Sequence, residues 1–318
     1  MSKWGFFVLG FLLVLPYSGQ AAVCLWVSSY HTGYPWNDGI EKGLTQSLEG
    51  ACELKKFFMD TKRHPDSSHA SLKATEALEL IERLQPDIVI ASDDNASAFL
   101  VAPHLKGSKI PVVFCGVNWS VEAYGYPAPN ITGMVEVTPV SAMIDGLRKT
   151  LPTARRGVYL SSDVPTEKIE FTHIARKMAS EGINLKAHFV KNWAQWKEGV
   201  RVGQNFDFII FGNYNGIQGW DGHKGQQVLQ HKNKRLTLGH YQWMLPYVML
   251  VFSKDSVEQG QWAGDVAKAI LSGRRASEIP ISPNRKSHLY YNPQLLKSAG
   301  FNSEHDLLLK ATPLEADE

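Results

Sequence analysis

Short apolar segments alternate with longer amphipathic segments along most of this sequence, and no other feature constrains its fold as strongly. Residues 24–29, 54–59, 88–91 and 111–114 are segments of strand length that are rich in apolar residues. The third of these is apolar throughout, which is typical of a strand buried on both faces. Between the runs, apolar residues recur at helical spacing, as at Ala77, Ile81 and Leu84. This order predicts a parallel sheet with helices on both of its faces.

The same alternation begins again near residue 140. Helices are predicted at 140–151 and 166–181, and strands at 157–160, 185–190, 206–211 and 235–238. In the helix at 166–181 we expect Ile169, Ile174 and Met178 to face inward. The predicted fold class is therefore α/β, with two doubly wound parallel-sheet lobes.

The C-terminal part differs from both units, because a strand at 247–252 and a helix at 256–271 precede only short extended pieces. Such a tail suits a chain that crosses back between lobes to complete both sheets. Residues 118–133 are rich in Pro, Gly and Asn and are the expected first crossing. We expect an N-terminal lobe of residues 23–133 plus about 247–280, and a C-terminal lobe of residues 134–246 plus about 281–318.

Composition supports two globular lobes. The chain has 318 residues, about twice the usual length of one domain. Hydrophobic residues make up 44% and charged residues 20%, which argues against disorder. The net charge of +2 gives no indication of a nucleic-acid-binding surface.

The N-terminus has the order of a secretory signal peptide, predicted here at residues 1–22. Lys3 precedes an apolar run at 4–15, and small residues follow. The run is shorter than the ~20 residues that span a bilayer, although an uncleaved anchor remains an alternative. A lipoprotein is disfavoured because Val23 stands before Cys24, where lipoprotein signals have a small residue. We therefore expect the mature protein in the periplasm.

The chain contains three cysteines, Cys24, Cys52 and Cys115. Cys24 and Cys52 each begin a strand-like run, and the two strands should be neighbours. In an exported protein they can form a disulfide bond, and the alternative is two buried free thiols. No pair has the CxxC spacing of a zinc or redox site.

Polar and aromatic residues gather where the predicted strands end. Open α/β sheets bind ligands beyond the carboxyl ends of their strands, so these residues are the candidate ligand-binding set. In the first unit they are Ser29, Tyr30, His31, Trp36, Asp60, Lys62, Arg63, Asp93, Asp94 and Asn118, and in the second Asn213, Tyr214 and Tyr241. Simpler roles compete: Asp93 and Asp94 can cap a helix, Asp60 and Arg63 can form a surface ion pair, and Trp36 can be core.

Catalytic and cofactor motifs are missing from the sequence. It has no GxSxG, GxGxxG, GxxxxGK[ST] or HExxH pattern, so we expect no enzymatic activity, no cofactor and no metal. A serine–histidine–aspartate set assembled from Ser29, His31 and Asp93 is the remaining catalytic option. The alternative functions are an exported hydrolase-like enzyme and a ligand-free extracytoplasmic adaptor.

Several segments, in this order and spacing, resemble one protein family. They are residues 28–31 with Trp36 and Gly43, 59–63, 86–94, 110–118, 130–133, 258–273, and 279–281 with Asn292. The chain is similar to ABC-transporter substrate-binding-like proteins of the type I periplasmic fold. It looks closest to the branch that also forms sensor domains of membrane histidine kinases.

The resemblance implies two lobes joined by three crossovers, with a ligand bound between them and no catalysis. It does not identify the ligand, but the charges of both signs and the aromatic rings at the strand ends suit a small polar or amino-acid-like molecule. The expected partner is a membrane sensor kinase, cyclase or ABC permease. We expect a monomer. Because this chain carries no signalling domain of its own, its ligand-bound state would be read by a separate membrane protein.

Overall fold

The structure is a computed structural model that describes residues 21–302 and 306–315. The predicted signal peptide falls on residues 1–22, and all but its last two residues lie outside the described ranges. Within those ranges, no helix is long and apolar enough to cross a membrane.

The strands and helices alternate as predicted over most of the chain. In chain order the strands are β1 (Val23–Ser28), β2 (Glu53–Phe58), β3 (Ile88–Ser92), β4 (Val112–Asn118), β5 (Ile131–Glu136), β6 (Arg156–Ser162), β7 (Asn184–Val190), β8 (Phe208–Phe211), β9 (Leu236–Gly239), β10 (Leu250–Lys254), β11 (Ser282–Pro283), β12 (Ser287–Tyr291) and β13 (Thr312–Pro313). The helices are α1 (Pro35–Leu48), α2 (Ser67–Leu84), α3 (Asp93–Asn95), α4 (Val140–Thr150), α5 (Pro165–Ser180), α6 (Trp193–Gly203), α7 (Gly222–Lys232), α8 (Ser256–Leu271) and α9 (Pro293–Ala299). A π-helical segment, Ala96–Leu105, continues directly from α3.

The first sheet has the strand order β11-β5-β4-β3-β1-β2, and all of its strands are parallel. Side chains of β1 alternate between two cores. Leu25 and Val27 pack with α2 and the π-helical segment, while Trp26 packs with α1 and α8. The chain leaves β1 toward β2 on one side and returns as β3 on the other. This change of direction opens a crevice at the carboxyl ends of β1 and β3.

Helices α1 and α8 pack with their backbones almost in contact. A Cβ atom added at Gly260 would lie 2.1 Å from the carbonyl oxygen of Ile40, and one at Gly43 would lie 2.3 Å from that of Val257. Only glycine permits this approach. Helix α8 is therefore fixed to the first sheet, far along the chain from the other helices of that lobe.

The second sheet has the order β13-β12-β10-β9-β8-β6-β7, and its pairs are parallel except for β10 with β12. Large side chains such as Tyr159, Phe208 and Phe211 fill its core. One prediction for this lobe is wrong. Ile169 does not face inward, since it is 55% exposed, whereas Ile174 and Met178 are buried as expected.

The chain passes between the two lobes three times, and none of these crossings lies where the sequence analysis predicted it. Residues 118–133 do not cross, because the chain continues into β5 beside β4 and leaves the first sheet only after Glu136. The strand expected at 247–252 is β10, which pairs with β9 in the second sheet rather than joining the first lobe. Strand β11, beyond residue 280, pairs with β5 in the first sheet.

The chain therefore crosses between β5 and α4, between β10 and α8, and between β11 and β12. These three crossings are called the hinge below. An apolar run of strand length has the same pattern in either sheet, so the sequence alone misplaced β10. We call the first sheet with its helices the first lobe, and the second sheet with its helices the second lobe.

Cys24 and Cys52 form a disulfide bond across a Cα–Cα distance of 5.9 Å. The bond follows from the parallel pairing of β1 with β2, which places Cys24 opposite Leu54 and close to the residue that leads into β2. Of the two readings left open by the sequence, the structure has the disulfide. Cys115 in β4 is a buried free thiol.

Candidate ligand-binding cleft

A cavity of about 340 Å³ lies between the lobes, at the carboxyl ends of their strands. This volume is within the range of small-molecule sites, roughly 300–1,000 Å³. We call it the inner cavity. Its lining comes from the first lobe, the second lobe and the hinge: Tyr30, Tyr34, Pro35, Trp36, Lys62, Asp93, Asn118, Glu136, Glu170, His240, Tyr241, Gln242, Trp243, Ser253, Lys254 and Ser256.

A second cavity of about 680 Å³ adjoins the inner one and is called the outer cavity. The two share the residues Tyr34, Lys62, Asn118, Glu170, Tyr241 and Trp243. The outer cavity adds Asp94, Trp119, Thr166, Ile169, Asn213, Tyr214 and Asn215. The shared lining makes the two cavities parts of one cleft.

Asp93 is the most unusual acidic residue of the cleft. It follows β3 directly, has a left-handed φ of 70°, and is 1% exposed. Its Oδ1 accepts a hydrogen bond of 2.9 Å from Trp36 Nε1, while its Oδ2 has no hydrogen-bond partner among the described residues. Gly116 makes room for this carboxyl group, since a Cβ there would lie 2.7 Å from Asp93 Oδ1.

The carboxyl group of Asp93 does not cap the helix that it begins, because its hydrogen bond goes to Trp36 in α1. Burial raises the pKa of Asp93 well above its usual range, and the nearby Glu136 raises it further. The hydrogen bond from Trp36 opposes this shift only in part. A buried carboxyl group with one unpartnered oxygen leaves a hydrogen bond for a ligand to make.

Asp94 occupies a different environment at the outer cavity. Its Oδ2 accepts a hydrogen bond of 2.6 Å from Asn118 Nδ2, and its Oδ1 accepts one of 2.7 Å from the Tyr124 hydroxyl. Both partners belong to the first lobe. Asp94 therefore orders Asn118, at the end of β4, beside the cleft.

Glu136 and Lys254 form an ion pair within the hinge, at the floor of the inner cavity. Both side chains are largely buried, with 10% and 12% of their surface exposed. Burial would lower the pKa of Lys254, but Glu136 and Glu170 raise it, so its ammonium group stays charged. Burial raises the pKa of Glu136, which Lys254 offsets in part.

Glu170 in α5 connects the second lobe to the first crossing. It accepts a hydrogen bond of 2.6 Å from Trp119 Nε1 and another from Thr138, which precedes α4. Burial alone would raise the pKa of Glu170, but His240 in its protonated form, Lys254 and these hydrogen bonds together lower it. Glu170 is therefore ionised and already well satisfied.

His240 is 1% exposed, and its Nε2 lies 3.5 Å from Glu170 Oε1. Neither ring nitrogen makes a hydrogen bond within the described part of the chain, so the contact with Glu170 is an ion pair only when the imidazole is protonated. Burial lowers the pKa of His240 and outweighs the two nearby glutamates. His240, which lines the inner cavity, is thus neutral, and both of its ring nitrogens lack a hydrogen-bond partner among the described residues.

Five tyrosine and tryptophan rings also line the inner cavity. Tyr30 packs edge-to-face on Tyr34 at 5.2 Å between ring centroids, and Tyr241 stacks on Trp243 at 4.4 Å. The first pair belongs to the first lobe and the second pair to the second lobe. The exposed ammonium of Lys62 lies 5.2 Å from the Tyr30 ring and 5.1 Å from the Tyr34 ring.

Nine residues of the predicted set line the cleft. They are Tyr30, Trp36, Lys62, Asp93, Asp94, Asn118, Asn213, Tyr214 and Tyr241.

The other four predicted residues lie outside the lining of both cavities. Ser29 is buried, and its hydroxyl donates to the Ser92 carbonyl while accepting from the amide of Ala96. Asp60 and Arg63 pair with each other at the surface through two hydrogen bonds of 2.8 and 2.6 Å. His31 Nδ1 contacts the carbonyl of Thr32, so Ser29, His31 and Asp93 do not form a catalytic set.

Sequence reasoning missed the residues that the hinge and α5 bring to the inner cavity. Glu136, Ser253, Lys254 and Ser256 flank the first two crossings, and Glu170 lies inside an amphipathic helix. In residues 21–302 and 306–315, no group of three His, Cys, Asp or Glu side chains is arranged to hold a metal ion.

The sequence matches no protein-family model, and no curated protein is similar to it in sequence. Solved structures are similar in fold. The ligand-free, open structure of a substrate-binding protein with adhesive properties from Clostridium difficile has a TM-score of 0.75 at 14% identity, covering 93% of this chain and 100% of that one. A conserved domain protein from Vibrio cholerae has a TM-score of 0.62 at 16% identity, over 93% and 100% of the two chains.

An ABC domain from Streptococcus pneumoniae in complex with L-Trp has a TM-score of 0.59 at 15% identity, over 92% of this chain and 100% of that one. Identities this low establish the fold and nothing more specific. The two lobes, each built on a mainly parallel sheet, the three crossings of the hinge and these similarities together show that the chain has the type I periplasmic binding protein fold.

Proposed function

We propose that this protein is an extracytoplasmic solute-binding protein that closes its two lobes on a small polar or amino-acid-like ligand. The observation that carries the proposal is the inner cavity, which has polar groups from both lobes that are buried and unused. Asp93 Oδ2 comes from the first lobe and the His240 ring from the second. Buried polar groups without partners are costly unless a ligand satisfies them.

The closed form would be recognised by a membrane protein, either a sensor kinase or cyclase or an ABC permease. A ligand that touches both lobes binds the closed form better than the open form and so shifts the population toward it. The similar structures from C. difficile and S. pneumoniae support this proposal, since one is named as a substrate-binding protein and the other contains L-Trp.

Thermal unfolding in the presence of single metabolites tests the proposal. The panel contains amino acids, amines, sugars, nucleosides and polyamines. A ligand present at 100 times its Kd should raise the free energy of unfolding by about 2.7 kcal/mol. Native mass spectrometry of the purified protein should detect the same compound if it co-purifies.

Two matched variants locate the ligand. Trp243→Ala removes an exposed apolar side chain that lines both cavities and should reduce the thermal shift. Leu72→Ala removes one of similar exposure on α2, outside the lining of either cavity, and should leave the shift unchanged. If no metabolite shifts unfolding, or if a compound is turned over rather than bound, the proposed function is wrong.

A further inference from the structure

We propose that the inner cavity binds a solute through a positively charged nitrogen, which pairs with the Asp93 carboxylate and lies among aromatic rings. The preferred ligand carries no carboxylate of its own. The ligand class is therefore an organic amine or alkylated ammonium compound. This inference rests on the proposed function and specifies the solute for the same cleft.

The charges that line the inner cavity are the first support. Asp93, Glu136 and Glu170 are each less than one-tenth exposed, and the one buried ammonium of the described lining belongs to Lys254. Lys254 is paired with Glu136, and Glu170 is hydrogen-bonded to Trp119 and Thr138. Of these three acids, only Asp93 has a fully buried carboxylate oxygen without a hydrogen-bond partner among the described residues. A buried carboxylate in that position is stabilised most by a cation.

The aromatic lining is the second, independent support. Five rings face the inner cavity, from Tyr30, Tyr34, Trp36, Tyr241 and Trp243. The faces of such rings attract cations, and aromatic cages are a recurring means of binding alkylated ammonium groups. Sugars and anions gain no comparable electrostatic stabilisation from ring faces.

Two of these rings, Tyr30 and Tyr34, already contact a cation, the ammonium group of Lys62. Its ammonium lies 5.2 and 5.1 Å from the centroids of Tyr30 and Tyr34, within the ~6 Å limit of a cation–π contact. Lys62 is exposed and lines both cavities, so its long side chain can move into solvent when a ligand cation takes its place. Lys62 and the ligand nitrogen would compete for the same rings.

The effect of losing Lys62 distinguishes a cationic ligand without a carboxylate from an amino-acid ligand. An amino acid carries a carboxylate, and Lys62 is the unpaired cation of the described lining that could pair with it. If the ligand is an amino acid, losing Lys62 would therefore weaken binding. For a ligand that is only cationic, losing Lys62 removes a competitor and a repulsive charge, so binding would tighten. The two ligand classes thus predict opposite signs for one substitution.

Isothermal titration calorimetry with phenethylamine, phenylalanine and phenylpropionate provides the test, because these probes share one ring and differ in charge. Phenethylamine should bind with the lowest Kd and phenylpropionate with the highest. Asp93→Asn should weaken phenethylamine binding by about tenfold, since it removes a charge-assisted hydrogen bond. Lys62→Met should tighten phenethylamine binding several-fold.

The matched controls are Asp265→Asn on α8 and Lys109→Met before β4. Both residues are exposed and lie outside the lining of both cavities, and neither variant should change the Kd. Tighter binding of phenylalanine than phenethylamine, or weaker phenethylamine binding in Lys62→Met, overturns this inference and leaves the proposed function intact. If none of the three probes binds while another class of metabolite stabilises the protein, the inference is wrong. If no compound of any class binds, both proposals fail.

Discussion

Replacing Asp93 with asparagine should change how the stability of the ligand-free protein depends on pH. Asparagine has the same shape, tolerates a left-handed φ, and keeps an oxygen for the Trp36 hydrogen bond. It removes only the titration of a carboxyl group that is 1% exposed. In wild-type protein, burial and the nearby Glu136 raise the pKa of Asp93 well above its usual value.

The size of this pH dependence follows from the binding of one proton to the Asp93 carboxyl group. The Asp93 carboxyl has a pKa of about 3.9 when unfolded, so between that pH and its raised native pKa the folded protein holds a proton that the unfolded chain has lost. The free energy of unfolding must therefore fall as pH rises through this window, by about 1.4 kcal/mol for each pH unit. The contribution of Asp93 is fully present below about pH 3.9 and is lost above the native pKa.

Urea unfolding of wild type and Asp93→Asn, followed by tryptophan fluorescence from about pH 4 to pH 8, measures this effect. Groups that do not interact with Asp93 titrate alike in both proteins and cancel in the difference, whereas Glu136, which repels Asp93, contributes to it. Asp93→Asn should become the more stable protein as pH rises. A difference that stays constant over the whole range would show that Asp93 has an ordinary pKa, and the account of its burial would be wrong.

Two further predictions concern stability. Replacing both Cys24 and Cys52 with alanine should lower the free energy of unfolding by about 3–4 kcal/mol, because the disulfide bond closes a loop with a sequence separation of 28. Urea unfolding of the variant and of oxidised wild type measures this difference, and equal free energies would contradict the prediction. Lys254→Met should destabilise the protein by about 3–5 kcal/mol by leaving Glu136 buried and unpaired, whereas the double variant with Glu136→Gln should recover most of that loss. Additive losses in this double-mutant cycle would refute the coupling of the pair.

Through a general rule of parallel sheets, the sequence located cleft residues that follow the strands of both lobes. Tyr30 follows β1 and Asp93 follows β3, so the crevice between these strands could be placed from the order of apolar runs alone. The rule names a loop, however, and does not say which way a side chain turns. Ser29 follows β1 as closely as Tyr30 does, yet it bonds to Ser92 and Ala96 inside the lobe.

Helix α5 shows why hydrophobic periodicity missed Glu170. The buried face of α5 consists of Glu167, Glu170, Ile174 and Met178, and two of these four residues are charged. Apolar spacing therefore assigned Ile169 to the buried face of α5, instead of the two glutamates near the start of the helix, where α5 borders the cleft. Glu167 is buried because it accepts hydrogen bonds from Tyr159 and Ser161, a compensation that depends on tertiary structure.

The hinge residues could not be found from local patterns, because their environment depends on which sheet each crossing strand joins. Glu136 ends β5 in the first sheet and Lys254 ends β10 in the second, so their pairing requires both sheet assignments at once. The third crossing is fixed to the first, since the amide of Val137 donates a 2.7 Å hydrogen bond to Asn284 Oδ1. Misplacing β10 therefore concealed the floor of the cleft.

The inner cavity is lined by residues that flank the first two crossings of the hinge, Glu136, Lys254 and Ser256, and this bears on how a bound solute could change the lobes. Asp93 and Glu136 repel each other, and Glu136 is the partner of Lys254 across the first two crossings. A cation at Asp93 would relieve that repulsion and allow Asp93 and Glu136 to be ionised together. A ligand can shift a conformational equilibrium only through contacts that differ between the states. Here such a difference can arise at the hinge itself, because the charge that the ligand supplies acts on the ion pair that joins the crossings.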